Sequence, residues 1–529
     1  MQELFDRAIA LHQAGDLVQA GQLYQQILLK EPSSFAPRHM LGVIRFQQGR
    51  YRDASELIEA ALNLNPRVAA AWVNLGHVQS VAGQGDKAVV SYRKALGLAP
   101  GDRVVLMALA GLLWRLCRHQ EALECLDQLL AAHPDDIEVL NNRGNLLRAM
   151  KRLKSALADY DGVLAVRPDL AETWANRGAV LSEMGLSRQA LESLDRALGL
   201  VPEMVPALND RGFTLRDLAR FDEALESLDR AVAIKPDHAP AHANRGKVLS
   251  EMNRLEESFG AFMKAGELAY GDKRPDEVIF AHKIEHDRDQ NAWLDASGEE
   301  GAGPLQIVGG ARLLHRAVNP HNVAQASQQW QQRDPRIVVI DDLLTQEALA
   351  ELRRYCLGSR IWHTGFAQGY LGAFPESGFA APLLAQVAEE LGSTFRDIFA
   401  GHWLRYHWAF KYDSKLDGIG IHADEAAVNV NFWITPDKAN CDPQSGGLVV
   451  WDKAAPLEWD FAKFNADEKA AYDFLTERNA SAITIPYRAN RAVIFDSNLF
   501  HKTDKICFAE GYENRRINIT MLYGRRARS

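Results

Sequence analysis

Cysteine is scarce. The chain of 529 residues holds five, at 117, 125, 356, 441 and 507, with no CxxC and no closely spaced even set. A disulfide-stapled scaffold is therefore not expected, and reduced thiols in a cytoplasmic setting are. Basic blocks are missing as well. The 60 lysines and arginines stand against 69 acidic residues, for a net charge of −9, and nowhere cluster densely enough to neutralise a row of phosphates. Nucleic acid is thus not an expected partner. No run reaches the roughly 20 consecutive apolar residues of a membrane span, so no membrane partner is expected either. The opening "MQELFDRAIALHQAGD" reads as a charged amphipathic helix, not as a basic segment followed by an apolar one. What remains, 47% hydrophobic and 24% charged residues, suits two or three globular domains.

Proline, glycine and alanine keep a common interval. Prolines fall at 32, 66, 100, 134, 168, 202 and 236, and glycines at 42, 76, 144, 178, 212 and 246, with Ala110 filling the gap. Every 34th residue from Ala20 is Ala54, Ala88, Ala122, Ala156, Ala190 and Ala224, and Ser258 keeps the next one small. Two helices packed through small residues and closed by proline make a helix–turn–helix repeat. The unit, as in "AAWVNLGHVQSVAGQGDKAVVSYRKALGLAP", resembles the tetratricopeptide repeat (TPR), in about eight copies over residues 1–270. Each copy buries its apolar face only against its neighbours, so an all-α superhelix with a concave groove is expected.

One column does not fit packing alone. Two residues before the small position stand Asn74, Asn142, Asn176 and Asn244, with Asp210 in the same register. A ladder of amides on the groove face can hold the backbone of an extended peptide. The column resembles the asparagine ladder in the repeats of the O-linked N-acetylglucosamine transferases, whose catalytic domain has no counterpart here. The plainer reading is that these side chains tie helices together or face water.

Residues 271–335, with a glycine-rich break at 298–310, read as a capping helix and linker. A second domain, 336–529, opens on "PRIVVIDDLL", a strand at 335–344, followed by a helix with Thr345 as its N-cap. From residue 400 short segments such as "GIGIHAD", "AVNVNFWI", "GGLVVWD", "RAVIFDS" and "RRINITMLYG" read as strands of an antiparallel sandwich or barrel. In "GIHAD", positions i and i+2 of a strand share a face, so His422 and Asp424 converge while Ala423 turns away. His501 follows an apolar strand, Ala492 to Phe495. Two imidazoles and one carboxylate form the facial triad that suits non-haem Fe(II); zinc accepts such donors too. Beyond them "RRINIT" places Arg516, Asn518 and Thr520 on one strand face, and an arginine inside a barrel is costly unless it meets an anion.

HxD, the glycine pair of "SGGLVVW", the distal histidine and the arginine starting the last strand together resemble the Fe(II)- and 2-oxoglutarate-dependent dioxygenase superfamily. The resemblance implies an α+β domain with a double-stranded β-helix (jelly-roll, cupin-like) core. It implies that His422, Asp424 and His501 bind iron and that Arg516 binds the distal carboxylate of 2-oxoglutarate. Tyr412 best matches an aromatic that helps hold the cosubstrate, and Asn429 or Asn431 could add a polar contact. Arg515 competes with Arg516. A carboxylate at Asp424, where related halogenases carry a small residue, implies hydroxylation or demethylation, with O2 as the second cosubstrate. The tryptophans at 362, 403, 408, 433, 451 and 459 are expected in core and pocket wall, and the insert at 453–480 as a lid or substrate-selecting loop.

The resulting expectation is a hydroxylase whose protein or peptide substrate is recruited by the TPR groove. Two alternatives stand beside it. One is an oxygenase of a small metabolite with the repeats serving assembly, and the other a catalytically inactive TPR scaffold.

Overall fold

In the computed structural model of the protein, residues 1–271 and 280–526 are described. The stretch 272–279, inside the expected capping segment, lies outside the described residues. The chain divides into two compact units, Met1–Pro202 and Glu203–Ser529.

The first unit is all-α, alternating helices of 13 and 14 residues from Phe35–Gln47 and Tyr51–Leu64 to Ala171–Glu183 and Ser187–Leu200, after an opening pair at Gln2–Gln13 and Leu17–Lys30. The small column sets the helix–helix distance. A Cβ at Gly76 would come within 2.7 Å of Tyr92, and one at Gly144 within 2.7 Å of Tyr160. Each clash lies 16 residues ahead, on the second helix of the same repeat. The turn between the helices needs a left-handed residue, and the need recurs with the repeat at Gly15, Gly49, Gly83, Cys117, Lys151 and Gly185, all with positive φ. A further column staples the repeats. Arg143 bonds Asp127 at 2.8 Å and Asp159 at 2.7 Å, and Arg177 bonds Asp161 at 2.7 Å.

The second unit begins with two more helix pairs, Val205–Asp217 with Phe221–Ile234 and Ala239–Glu251 with Leu255–Tyr270. Ser258 keeps the alanine column small and donates its hydroxyl to the Gly246 carbonyl at 2.7 Å, so its polarity is satisfied within the repeat. These helices pack on the β-rich part. Phe259 stacks on His407 with ring centroids 4.6 Å apart, and Ser250 Oγ donates to the Leu404 carbonyl at 2.7 Å. The repeat pattern ends near residue 270, but the packing unit starts earlier, at Glu203.

Twelve strands follow among the described residues: β1 (Ile337–Ile340), β2 (Thr364–Phe366), β3 (Tyr370–Ala373), β4 (Leu404–Tyr412), β5 (Lys415–Leu416), β6 (Val428–Trp433), β7 (Leu448–Ala454), β8 (Ala482–Ile485), β9 (Ala492–Asp496), β10 (Leu499–Thr503), β11 (Ile506–Cys507) and β12 (Ile517–Tyr523). One sheet runs β1-β9-β6-β12-β4-β3-β2, a second β10-β7-β8, and β11 pairs with β5. All pairings are antiparallel. Alternation in β6 and β12 separates two environments. Val428, Val430, Phe432, Ile517, Ile519 and Met521 enter a core with the helices, whereas Trp433 joins Val450, Ile485 and Phe495 in a second apolar cluster, which draws on both the large sheet and β10-β7-β8.

The strand expected across 335–344 is confined to Ile337–Ile340, followed by a helix, Gln346–Gly358, capped by the Thr345 side chain. The segment "GIGIHAD" is not a strand. His422 alone forms an isolated antiparallel bridge, to His501. The glycines at 418 and 420 explain this: Gly418 takes φ +87°, and a Cβ at Gly420 would lie 1.8 Å from the Glu468 carboxylate, so close approach replaces a regular ladder.

Candidate metal centre and its surroundings

His422, Asp424 and His501 offer ligand atoms that all lie within 4.8 Å of one another. Backbone bonds aim them. His422 N–H donates to the His501 carbonyl at 3.0 Å and the His501 N–H to the His422 carbonyl at 2.8 Å, while Asp424 N–H donates to the Ser497 carbonyl at 3.1 Å. The His422 Nδ1 lies 2.8 Å from the Gly420 carbonyl and the His501 Nδ1 3.1 Å from the Leu499 carbonyl, so each Nδ1 carries the proton. Both Nε2 lone pairs are thereby left for another partner. His501 Nε2 sits 3.4 Å from Asp424 Oδ2. Burial, with His501 adding to it, lowers the His422 pKa, keeping the ring neutral. For Asp424 burial opposes ionisation, but its surroundings, the His501 and His422 rings and the amide bond from Asn429, outweigh it and hold the carboxyl below its usual range. Two imidazoles with free Nε2 lone pairs and a carboxylate are a donor set that suits a divalent metal.

Behind Asp424 runs a chain of amides. Asn429 Nδ2 donates to Asp424 Oδ2 at 2.6 Å, and Asn431 Nδ2 to Asn429 Oδ1 at 2.6 Å. Asn518 Nδ2 and Thr520 Oγ1 donate to Asn431 Oδ1 at 3.0 and 2.8 Å. Asn431 is therefore engaged within the protein. The alternation of β6 put these amides on one face, but their order as a chain was not legible from spacing.

Arg516, just before β12, is 1% exposed and has no carboxylate partner among the described residues. Its Nε donates to the Gly446 carbonyl at 2.7 Å and its Nη2 to the Gly447 carbonyl at 3.3 Å. Nη1 is buried without a partner. The guanidinium lies over the rings of Tyr412, Trp433 and Tyr487 at 4.9, 5.6 and 5.9 Å. Desolvation by burial lowers its pKa. Arg515 is different. It pairs with Asp289 and Asp413, each at 3.3 Å.

The insert reaches the centre directly. Ala423, between the two ligands, donates its N–H to the Phe464 carbonyl at 3.0 Å and accepts from Asn465 Nδ2 at 3.0 Å. The insert carries two helices, Phe461–Asn465 and Glu468–Glu477. Phe461 and Tyr472 also line a cavity of about 870 Å3 into which His422 and Asp424 open, and whose wall includes Phe213, Arg216 and Lys247 of the last two helix pairs. No sequence signal marked those repeat residues as neighbours of the centre.

The asparagine column is divided in its contacts. In the first unit Asn74 Nδ2 meets His39 Nε2 of the preceding repeat at 2.9 Å, while Asn142 and Asn176 are half-buried and make no side-chain hydrogen bond among the described residues. In the second unit Asn244 donates to Asn209 Oδ1 at 3.0 Å and Asp210 accepts from Asn209 at 3.0 Å. For Asn74, Asp210 and Asn244 the side chains are thus engaged in intramolecular bonds, as in the plainer reading of this column. A residue 35 positions back, in the preceding repeat, supplies the partner of both Asn74 and Asn244.

Two family models described as tetratricopeptide repeat match the chain, one over residues 82–146 and one over residues 39–103 and 176–239. Among solved structures, a tetratricopeptide repeat protein from Parabacteroides merdae is 21% identical, with 47% of this chain and 94% of that one covered at a TM-score of 0.39. YrrB, described as a TPR protein with an unusual peptide-binding site, is 22% identical over 35% of this chain and 96% of its own, at a TM-score of 0.31. MamA is 19% identical over 32% and 93%, at 0.30. No helix among the described residues is long and apolar enough to cross a membrane. The N-terminal region of this chain carries tetratricopeptide repeats.

Proposed function

We propose that this chain is an Fe(II)- and 2-oxoglutarate-dependent oxygenase that hydroxylates a protein or peptide substrate brought to it by its repeats. The observation that carries this reading is the pairing of two incomplete sites in one β-rich unit. One is a converging His422, Asp424 and His501 set whose free lone pairs suit a metal. The other is a fully buried arginine with an unpartnered Nη1. A protein seldom leaves a guanidinium buried without an anion. A dicarboxylate that reaches both sites accounts for the two together, and the opposed antiparallel sheets are those a double-stranded β-helix would present.

In this reading His422, Asp424 and His501 hold the iron, and Arg516, flanked by Tyr412, holds the distal carboxylate of 2-oxoglutarate. With iron, 2-oxoglutarate and O2 bound, the chemistry supplied is insertion of one oxygen atom into a substrate C–H bond, while 2-oxoglutarate leaves as succinate and CO2. The protein's part is placement. Ala423, clamped by the insert, fixes the spacing of the two ligands around it, Asn429 orients the carboxylate of Asp424, and the aromatic wall around Arg516 keeps water from competing for its charge.

Polypeptide as the substrate class is favoured by the cavity wall. Phe213, Arg216 and Lys247 belong to repeat helices and line the same cavity as His422 and Asp424. Repeats that served assembly alone would have no need to contribute side chains there. TPR proteins commonly bind protein or peptide partners, so recognition and reaction would be adjacent. The test is direct. Purified full-length protein with Fe(II), 2-oxoglutarate and O2 should form succinate, slowly even without substrate. Absence of both iron binding and succinate would overturn the reading in favour of a scaffold.

A further inference from the structure

Besides Arg516 Nη1, two other buried polar atoms on this inner face lack a partner among the described residues: Trp433 Nε1 and Asn518 Oδ1. Trp433 is 0% exposed, and in the antiparallel pairing of β6 and β12 it lies directly opposite Asn518. Its ring forms part of the enclosure around the Arg516 guanidinium, 5.6 Å from centroid to Cζ. An indole has one polar atom and it can only donate. Burying that N–H without an acceptor is unfavourable, and tryptophans in cores usually find one. None of the neighbouring groups bonds it: Asn518 Oδ1, across the strand pair, is itself without a partner, the Tyr487 hydroxyl donates to the Thr435 carbonyl, and the carbonyls of Gly446 and Gly447 accept from Arg516.

Two unsatisfied donors on one inner face, one charged and one neutral, complement a single carboxylate with two oxygens. We infer that Trp433 is a cosubstrate-binding residue: its indole N–H donates to the same distal carboxylate that Arg516 holds, so that the pair reads the carboxylate with one ionic and one neutral hydrogen bond. This rests on the oxygenase reading above and adds a residue to it. A phenylalanine at 433 would fill most of the same space and lack the N–H. The neutral donor contributes where charge alone does not, because it favours a planar two-oxygen anion in one orientation.

The experiment is a binding measurement under nitrogen on the full chain loaded with Mn(II), with two ligands of equal length: 2-oxoglutarate, and 2-oxopentanoate, which carries a methyl in place of the distal carboxylate. Trp433→Phe should weaken 2-oxoglutarate by about tenfold or more, the loss expected for one hydrogen bond to a charged group, and leave 2-oxopentanoate unchanged within about twofold. Equal losses for both ligands, or no loss for 2-oxoglutarate, would overturn the assignment of Trp433 while leaving Arg516 in place. Failure of the unmodified protein to bind 2-oxoglutarate would overturn the cosubstrate reading itself, and this one with it. A second readout does not depend on the variant folding well. In the 1H–15N spectrum of the unmodified protein, the indole signal absent from Trp433→Phe should move downfield when 2-oxoglutarate is added, and a stationary signal would count against the bond.

Discussion

Asn465 donates its side-chain amide to the carbonyl of Ala423 at 3.0 Å, so a residue of the insert holds the one position between His422 and Asp424. The insert is thus part of the frame of the candidate metal centre as well as a wall of the cavity. Asn465→Ala should weaken Co(II) or Fe(II) binding by about tenfold, the usual scale for groups behind a ligand. Asn465→Gln, which keeps a donor, should recover part of the loss. Unchanged metal affinity in Asn465→Ala, measured by titration of the visible Co(II) bands, would show that the clamp is dispensable.

Replacing His422 or Asp424 by Ala should abolish metal binding and succinate formation while leaving the helical far-UV signal of the repeats intact. Succinate production persisting in both variants would sink the metal assignment.

The two neighbouring arginines should separate cleanly. Arg516→Ala removes the buried cation and should raise the 2-oxoglutarate requirement steeply, by about 2–5 kcal/mol in binding. Arg515→Ala breaks ion pairs to Asp289 and Asp413 and should lower the melting temperature with little effect on cosubstrate affinity. The opposite order, read from paired titrations and melts, would reassign the cosubstrate arginine.

Within the asparagine column the structure divides the expected effects. Asn142 and Asn176, which have no side-chain partner among the described residues, remain available to a bound chain. Their joint change to Ala should raise the Michaelis constant for a polypeptide substrate, at about 0.5–1.5 kcal/mol for each lost bond, with substrate-free decay of 2-oxoglutarate unchanged. Asn74→Ala, by contrast, removes the contact to His39 and should register as stability. Equal turnover by the Asn142/Asn176 double variant would favour a small metabolite as substrate.

A pH effect follows from His407. Burial pushes its pKa down to about 4 from the ordinary 6.5. The unfolded chain therefore binds a proton below about pH 6.5 that the folded chain refuses until about pH 4. The stability His407 contributes is complete above pH 6.5 and is lost as pH falls through that window, up to about 3 kcal/mol. His407→Gln should flatten the acid limb of a denaturation series between pH 6.5 and 4, and an unchanged slope would exclude His407 as its source.

The repeats were legible because a 34-residue interval is written in many positions at once, and each small residue answers to a defined neighbour, as Gly144 does to Tyr160. The arginine staples Arg143 and Arg177 keep the same interval and could have been found, but charged residues invite a solvent reading until their partners are known. His422, Asp424 and His501 come together although the first pair does not lie on a strand. A single bridge to His501 does the work that strand alternation was expected to do. Asn465, Phe213 and Lys247 could not be read from sequence, since their relation to the centre exists only through long-range packing. For Asn74 and Asn244 the reason is related: periodicity gives a position on the repeat and is silent on whether the preceding repeat supplies a partner.

The stacking of Phe259 on His407 and the bond from Ser250 to Leu404 have a practical corollary for anyone preparing a smaller piece of this protein. A fragment begun at residue 271, where the repeat pattern stops, would strip the partner from one face of β4 and open Leu404, His407 and their neighbours to water. Such a fragment would tend to aggregate, and its inactivity would say nothing about substrate recruitment. A cut near Glu203 keeps the last two helix pairs with the strands, and only that shorter chain can serve as a control for what the preceding repeats contribute.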